Sequence, residues 1–172
     1  MSEVLVLHGS PGSGKSTLAG SVAELLRADG KAHAVIDLDE ISIISPSPGR
    51  DFALRNLKAI WPHYAAVPGV RLIVPSVIAD EDELVTFRAA VPCDRFLVCE
   101  LTAPRAILQE RVTAREPNEF WRDRLRALVD LYHGRTDLDR IRDFEVSTHD
   151  RPIDDAAREV IAKAGWVISA PP

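Results

Sequence analysis

This sequence has few groups that could stabilise it covalently or through metal. Only two of its 172 residues are cysteines, Cys93 and Cys99, and they form no C-x-x-C pair. That spacing gives neither a disulfide framework nor a thiolate metal site, and it reads as two small core residues of a reduced, cytoplasmic protein. The five histidines, His8, His33, His63, His133 and His149, show no metal-ligand spacing either. No stretch approaches the ~18 continuous apolar residues of a membrane span. The most apolar one, 70–79, is interrupted by Arg71 and Pro75. The start lacks a basic n-region, since Met1-Ser2-Glu3 leads straight into Val4-Leu5-Val6-Leu7, so no signal peptide is expected. Lysine is scarce, with 4 of the 21 basic residues; the other 17 are arginine. A net charge of -5 and a pI near 5.5 argue against a general nucleic-acid binder, which is normally basic. What remains is an ordinary globular composition, 46% hydrophobic and 27% charged. The length fits one domain spanning 1–172, able to bury roughly 70% of its unfolded surface.

Short apolar runs alternate with segments of helical period. Val4 to His8 reads as a buried strand ending at Gly9. Leu18, Val22, Leu25 and Leu26 then mark one helical face, and Gly30 stands where a helix C-terminal glycine belongs. Ala32 to Leu38 reads as a second strand. Pro46, Pro48 and Gly49 mark a loop, and Leu54, Leu57, Trp61 and Tyr64 a helix that Pro62 should kink or end. Val70 to Val77 is a third strand. Asp80 and Glu83 form a capping-box-like start for the next helix. Phe96 to Leu101 is a fourth strand, Pro104 opens a helix that stops before Pro117, and Asn118 caps another. Trp121, Leu125, Leu128, Val129 and Tyr132 form the core face of that helix, with Gly134 at its end. Phe144 to Ser147 is a short fifth strand, and a helix from Pro152 to Ala164 stops at Gly165. The alternation predicts an α/β three-layer sandwich around a mostly parallel five-stranded sheet, with ligands at the carboxyl ends of the strands.

The strongest motif sits at the first of those ends. Gly9, Ser10, Pro11, Gly12, Ser13, Gly14, Lys15 and Ser16 match G-x-x-x-x-G-K-[ST] in full, after a strand and before a helix. Glycines let successive backbone N–H groups turn into one anion-sized hollow, and the helix N-terminus adds its positive dipole. Lys15 can reach terminal phosphates and the Ser16 hydroxyl can ligate Mg²⁺, with Thr17 in the same binding turn.

On this motif the chain resembles the P-loop small-molecule kinases, a group that includes adenylylsulfate kinase, chloramphenicol phosphotransferase, shikimate kinase and gluconate kinase. The resemblance spans most of the chain and implies ATP with Mg²⁺ and a small-molecule hydroxyl acceptor. Asp37 and Asp39, two apart at the end of the second strand, should project from one strand face towards the phosphate loop. They are similar to the acid pair of shikimate and adenylylsulfate kinases, where the second Asp lies nearest the acceptor hydroxyl. Carried over, Asp39 is the general base and Asp37 belongs with Ser16 in the metal shell. The other reading of the pair is a turn or a helix cap. The third strand ends in Ser76-Val77 with no acid, unlike motor and switch NTPases. No N-K-x-D is present, so ATP is the expected nucleotide.

Arg111 and Arg115 stand i, i+4 before the break at Pro117, and Arg122 and Arg126 repeat the spacing after it. The segment around 111–126 resembles a lid region, with Glu116 to Phe120 as a short lid between two helices and Arg111 and Arg115 as nucleotide or transition-state contacts. The interleaved Glu110, Glu116, Glu119 and Asp123 allow a solvated ion-pair face instead. Arg50 and Arg55 read as surface residues, and His8 as a strand-end packing residue. The segment from Thr148 to Pro152 offers backbone to an adenine ring, and Trp61 could line an acceptor pocket. The resulting expectation is a kinase moving the γ-phosphoryl group to an alcohol. The alternatives are a nucleotide kinase or a nucleotide-binding ATPase that acts as a regulator.

Overall fold

The computed structural model describes residues 1–49 and 51–169, so the Arg50 assignment lies outside the described residues. Five strands, β1 (Glu3–His8), β2 (His33–Val35), β3 (Arg71–Pro75), β4 (Arg95–Thr102) and β5 (Phe144–Ser147), form one sheet in the order β2-β3-β1-β4-β5. Every pairing is parallel, with Leu5 opposite both Ile73 and Leu97. The helices are α1 (Lys15–Ala28), α2 (Phe52–Ala65), α3 (Glu81–Ala90), α4 (Arg105–Arg115), α5 (Glu119–His133), α6 (Leu138–Ile141) and α7 (Ile153–Lys163), with a 3₁₀ turn at Glu40–Ser42.

The unbroken apolar run of β1 follows from burial on both faces. Leu5 and Leu7 pack with Leu18, Val22 and Leu26 of α1 and with Val160 of α7. Val4 and Val6 pack on the other face with Leu57 and Trp61 of α2 and Phe87 of α3. The connections from β1 and β3 therefore leave on opposite faces of the sheet, which opens a crevice between the carboxyl ends of these adjacent strands. A smaller cluster, Leu108, Val112 and Val129, joins α4 to α5.

The predicted caps are present. The Asp80 carboxylate accepts from the Glu83 N–H at 2.8 Å, and the Asn118 side chain from the Trp121 N–H at 3.2 Å. Four expectations are corrected. The second strand is three residues long, because at residue 37 the carboxylate takes the chain into a turn: Asp37 Oδ1 accepts the Asp39 N–H at 3.0 Å. Asp37 and Asp39 are therefore not a pair on a strand face. Helix α2 runs through Pro62 and ends one turn later, at Ala65. The connection between α4 and α5 is only residues 116–118, shorter than the expected lid over Glu116 to Phe120. The expected core face of α5 is also only partly a core: Val129 and Tyr132 are buried, but Trp121 is 50% exposed and Leu128 41%.

Candidate active site

The phosphate loop leaves β1 at Gly9 and enters α1 at Lys15. Two of its glycines are required by close approach as well as by backbone angle. At Gly9 (φ +153°) a Cβ would lie 2.8 Å from the Leu101 carbonyl oxygen, and at Gly12 (φ +82°) 3.0 Å from that of Leu108. The loop is thus pressed against β4 and α4 without room for a side chain. Pro11, Gly12, Gly14, Lys15, Ser16 and Thr17 face an open cleft of ≈ 460 Å³. The Ser10 and Ser13 side chains are buried beneath it, and their hydroxyls find no partner among the described residues.

Lys15 Nζ donates to the carbonyl oxygens of Gly9 (3.0 Å) and Ser10 (3.1 Å). Burial pushes its pKa down to about 8; Asp39 and Asp37 work against that shift and Arg115 adds to it. Ser16 Oγ donates to Asp37 Oδ2 at 2.9 Å. One carboxylate therefore links the start of α1 to the turn that presents Asp39. The expected grouping of Ser16, Asp37 and Asp39 is thus met by a different local structure, a side-chain-capped turn instead of strand periodicity. Asp39 lines the cleft, as do Ser42, Ser47, Ser76 and Val77.

The two arginines expected to act together in a lid separate. Arg115, exposed at the end of α4, lines the cleft. Arg111 instead ties down backbone: its guanidinium donates to the carbonyl of Gly12 (3.3 Å) and to the hydroxyl (3.1 Å) and carbonyl (2.8 Å) of Thr148. Thr148 in turn donates to the Ser13 carbonyl at 3.0 Å. Arg126 bonds Gln109 at 2.8 Å on the outer α4–α5 surface, away from the cleft. Trp61 is a core residue, 2% exposed, its Nε1–H donating to the Pro92 carbonyl at 2.9 Å, and it does not reach the cleft.

Sequence reading missed Glu83, Phe52, Leu125 and Leu128, all of which line the cleft. Glu83 was legible only as a capping residue, and its carboxylate does accept the Ala79 N–H. The signal that could have found it is proximity along the chain to Ser76-Val77, since a helix starting so soon after a strand end points its first turn at the crevice.

Behind the cleft, Ile78 is clamped from two sides. Its N–H donates to His8 Nδ1 at 3.0 Å and its carbonyl accepts from Arg135 Nη1 at 2.7 Å. Arg135 is itself oriented by both oxygens of Asp137, at 2.9 and 2.8 Å. Burial, reinforced by the charges of Arg135 and Lys15, pushes His8 down to about 3, so the ring stays neutral and Nδ1 keeps its lone pair for Ile78.

No family model matches the sequence, and no curated protein matches it. Solved structures do. The chain is similar to a gluconokinase from Sinorhizobium meliloti, at 20% identity and a TM-score of 0.65 over 95% of this chain and 91% of that one. It is similar to the Deinococcus radiodurans tunicamycin resistance protein, at 17% identity and a TM-score of 0.68 over 99% and 100%. It is also similar to the Mycobacterium tuberculosis APS kinase CysC, at 20% identity and a TM-score of 0.64 over 95% and 98%. At these identities the likeness is one of fold alone: this chain shares with them an α/β architecture in which the phosphate loop joins the first strand of a parallel sheet to the first helix.

Proposed function

We propose that the protein is an Mg²⁺- and ATP-dependent phosphotransferase that moves the γ-phosphoryl group to a hydroxyl of a small molecule. The observation that carries this reading is the pair of contacts from Ser16 through the Asp37 carboxylate to the Asp39 N–H, with Lys15, Asp39 and Arg115 lining the same cleft. The glycine-shaped loop and the Lys15 ammonium would hold the phosphates. One hydroxyl and one carboxylate, Ser16 and Asp37, are hard oxygen ligands of the kind magnesium takes alongside phosphate oxygens. When bound with the nucleotide, that ion would neutralise charge on the bridging phosphates. Asp39 lines the same cleft as the phosphate loop, and in this reading its carboxylate would orient the acceptor hydroxyl and take its proton. Arg115 supplies positive charge to the transferring oxygens.

The fold neighbours support this reading, since a gluconokinase, an APS kinase and a shikimate kinase share the architecture. Arg115 and Lys15 are the two cations lining the cleft among the described residues. A nucleotide acceptor, which brings its own phosphate, would call for more. The test is incubation with Mg²⁺-ATP and a panel of hydroxylated metabolites and antibiotics, with mass spectrometry of the products. A phosphorylated product that disappears in Asp39→Asn is the expected result. Slow ADP formation that no compound stimulates would instead favour a nucleotide-binding regulator.

A further inference from the structure

Behind the cleft lies a buried polar cluster that the chemistry above does not use. Strand β3 makes its last main-chain bond to β1 at Ser76, whose N–H donates to the Leu7 carbonyl at 3.0 Å. By Ile78 the chain has left the sheet. Ile78 is fully buried, so its main-chain N–H and carbonyl both need partners away from water. Side chains supply them: His8 Nδ1 accepts the N–H and Arg135 donates to the carbonyl. Ser76 and Val77, the two residues before Ile78, line the cleft.

The same imidazole also seats α5. His8 stands opposite Glu100 in the register of β1 and β4, so both side chains project from one face at the carboxyl end of the sheet. Tyr132 lies on this pair. Its ring is 5.4 Å from that of His8, tilted by 50°, and its hydroxyl donates to Glu100 Oε1 at 2.9 Å. Arg142 Nη1 donates to Glu100 Oε2 at 2.5 Å, so the buried carboxylate is paired at both oxygens. Arg135 closes the cluster, its guanidinium 5.5 Å from the centroid of the Tyr132 ring. Leu125 and Leu128, on the same helix as Tyr132, line the cleft. His8 itself is wholly buried, does not line the cleft, and directly precedes Gly9 of the phosphate loop. It is therefore out of reach of the reacting atoms. Packing alone would need no ring nitrogen, since Val4 and Val6 fill the same face of β1.

Resting on the kinase reading above, we propose that His8 is a positioning residue for the acceptor. Through Ile78 and Tyr132 it fixes two cleft-lining segments, residues 76–77 and the Leu125–Leu128 turn of α5, to the strand from which the phosphate loop springs. An acceptor held by those segments then keeps a set distance from the transferring phosphoryl group, and phosphoryl transfer is sensitive to small misplacements.

The test compares three variants of the protein saturated with Mg²⁺ and a non-hydrolysable ATP analogue. His8→Asn keeps an acceptor oxygen near the place of Nδ1, His8→Gln moves the amide one bond outward, and His8→Leu removes it. Amide hydrogen exchange followed by NMR should show Ile78 exchanging roughly tenfold faster in His8→Leu and His8→Gln, and near the parent rate in His8→Asn. Nucleotide affinity should not change, which also verifies folding. If His8→Leu fails to fold, the Asn and Gln variants carry the comparison. With the acceptor found by the product screen, the Leu and Gln variants should raise the acceptor KM about tenfold at an unchanged KM for ATP, and His8→Asn should restore it. An Ile78 amide indifferent to these substitutions overturns the proposal. So does an acceptor KM that stays at the parent value or rises together with that for ATP, and each of these results leaves the kinase reading standing. A parent protein that phosphorylates no acceptor in the screen overturns both the kinase reading and the role of His8.

Discussion

The two walls of the cleft are built by different means. The phosphate wall comes from nine consecutive residues, 9–17, whose shape is set by backbone angles that glycine permits between the end of β1 and the start of α1. The opposite wall, where the proposed acceptor would sit and which is called the acceptor wall below, takes one to three side chains each from α2, α3, α5, the 3₁₀ turn and the segment after β3. The first wall is contiguous and depends on main-chain geometry; the second depends on how separate elements pack. Mutations should therefore separate the two walls: main-chain changes should impair nucleotide binding, and packing changes should impair the acceptor.

The largest effect tests the seam between them. Asp39→Asn should lower kcat by about 10²–10⁴ while leaving nucleotide affinity near that of the parent, as expected for loss of a general base. Single-turnover kinetics with an identified acceptor reads this directly. A fall in nucleotide binding of similar size would move Asp39 to the phosphate wall.

Next in size, Gly12→Val forces a β-branched residue into φ +82° with its Cβ 3.0 Å from the Leu108 carbonyl. Strain of about 1–3 kcal/mol should reduce nucleotide affinity roughly ten- to hundredfold, measured by calorimetry. Acceptor binding to whatever fraction remains nucleotide-loaded should not change.

Arg135→Met probes the other wall from behind. It removes the donor to the Ile78 carbonyl and leaves Asp137 without its guanidinium. A lost hydrogen bond of about 1 kcal/mol should raise the acceptor KM severalfold, with the KM for ATP unchanged. Equal rises in both would mean that the segment after β3 serves the two walls together.

The smallest effect concerns pH. The free-protein pKa of Lys15 is about 8, below its ordinary value, so the ammonium is lost as pH rises through 8. Bound phosphates favour the charged form, so nucleotide binding near pH 8 should take up protons and its affinity should fall as pH increases further. Calorimetry in buffers of differing ionisation enthalpy measures the uptake. In the free protein the same depressed pKa makes stability rise with pH above about 8, because the unfolded chain then holds more protons than the folded one.

How far the sequence could be read follows the same division. The order of elements, the helix caps at Asp80 and Asn118 and the phosphate loop were legible because each rests on residues a few positions apart. Asp37 and Asp39 were placed in the right region for a reason that does not hold: periodicity predicted a strand face, whereas the Asp37 carboxylate competes with the ladder and turns the chain. Arg111 and Arg115 look equivalent at i, i+4, yet one binds the phosphate loop and Thr148 while the other faces the cleft, a difference set by the approach of α4 to the phosphate loop. Phe52 and Leu128 carry no local mark at all. An apolar residue on a helix reads as core unless the packing of neighbouring helices is known, and here that packing leaves both partly uncovered.

The contact between Arg111, Thr148 and the phosphate loop bears on the order in which the protein can be made. Thr148 donates to the Ser13 carbonyl across 135 positions of chain, and Arg111 closes the same link from the middle of the sequence. A nascent chain emerging from the ribosome exposes the phosphate motif long before the brace that completes it, which comes just after β5. Nucleotide can therefore meet a finished site only after the chain through Thr148 has emerged.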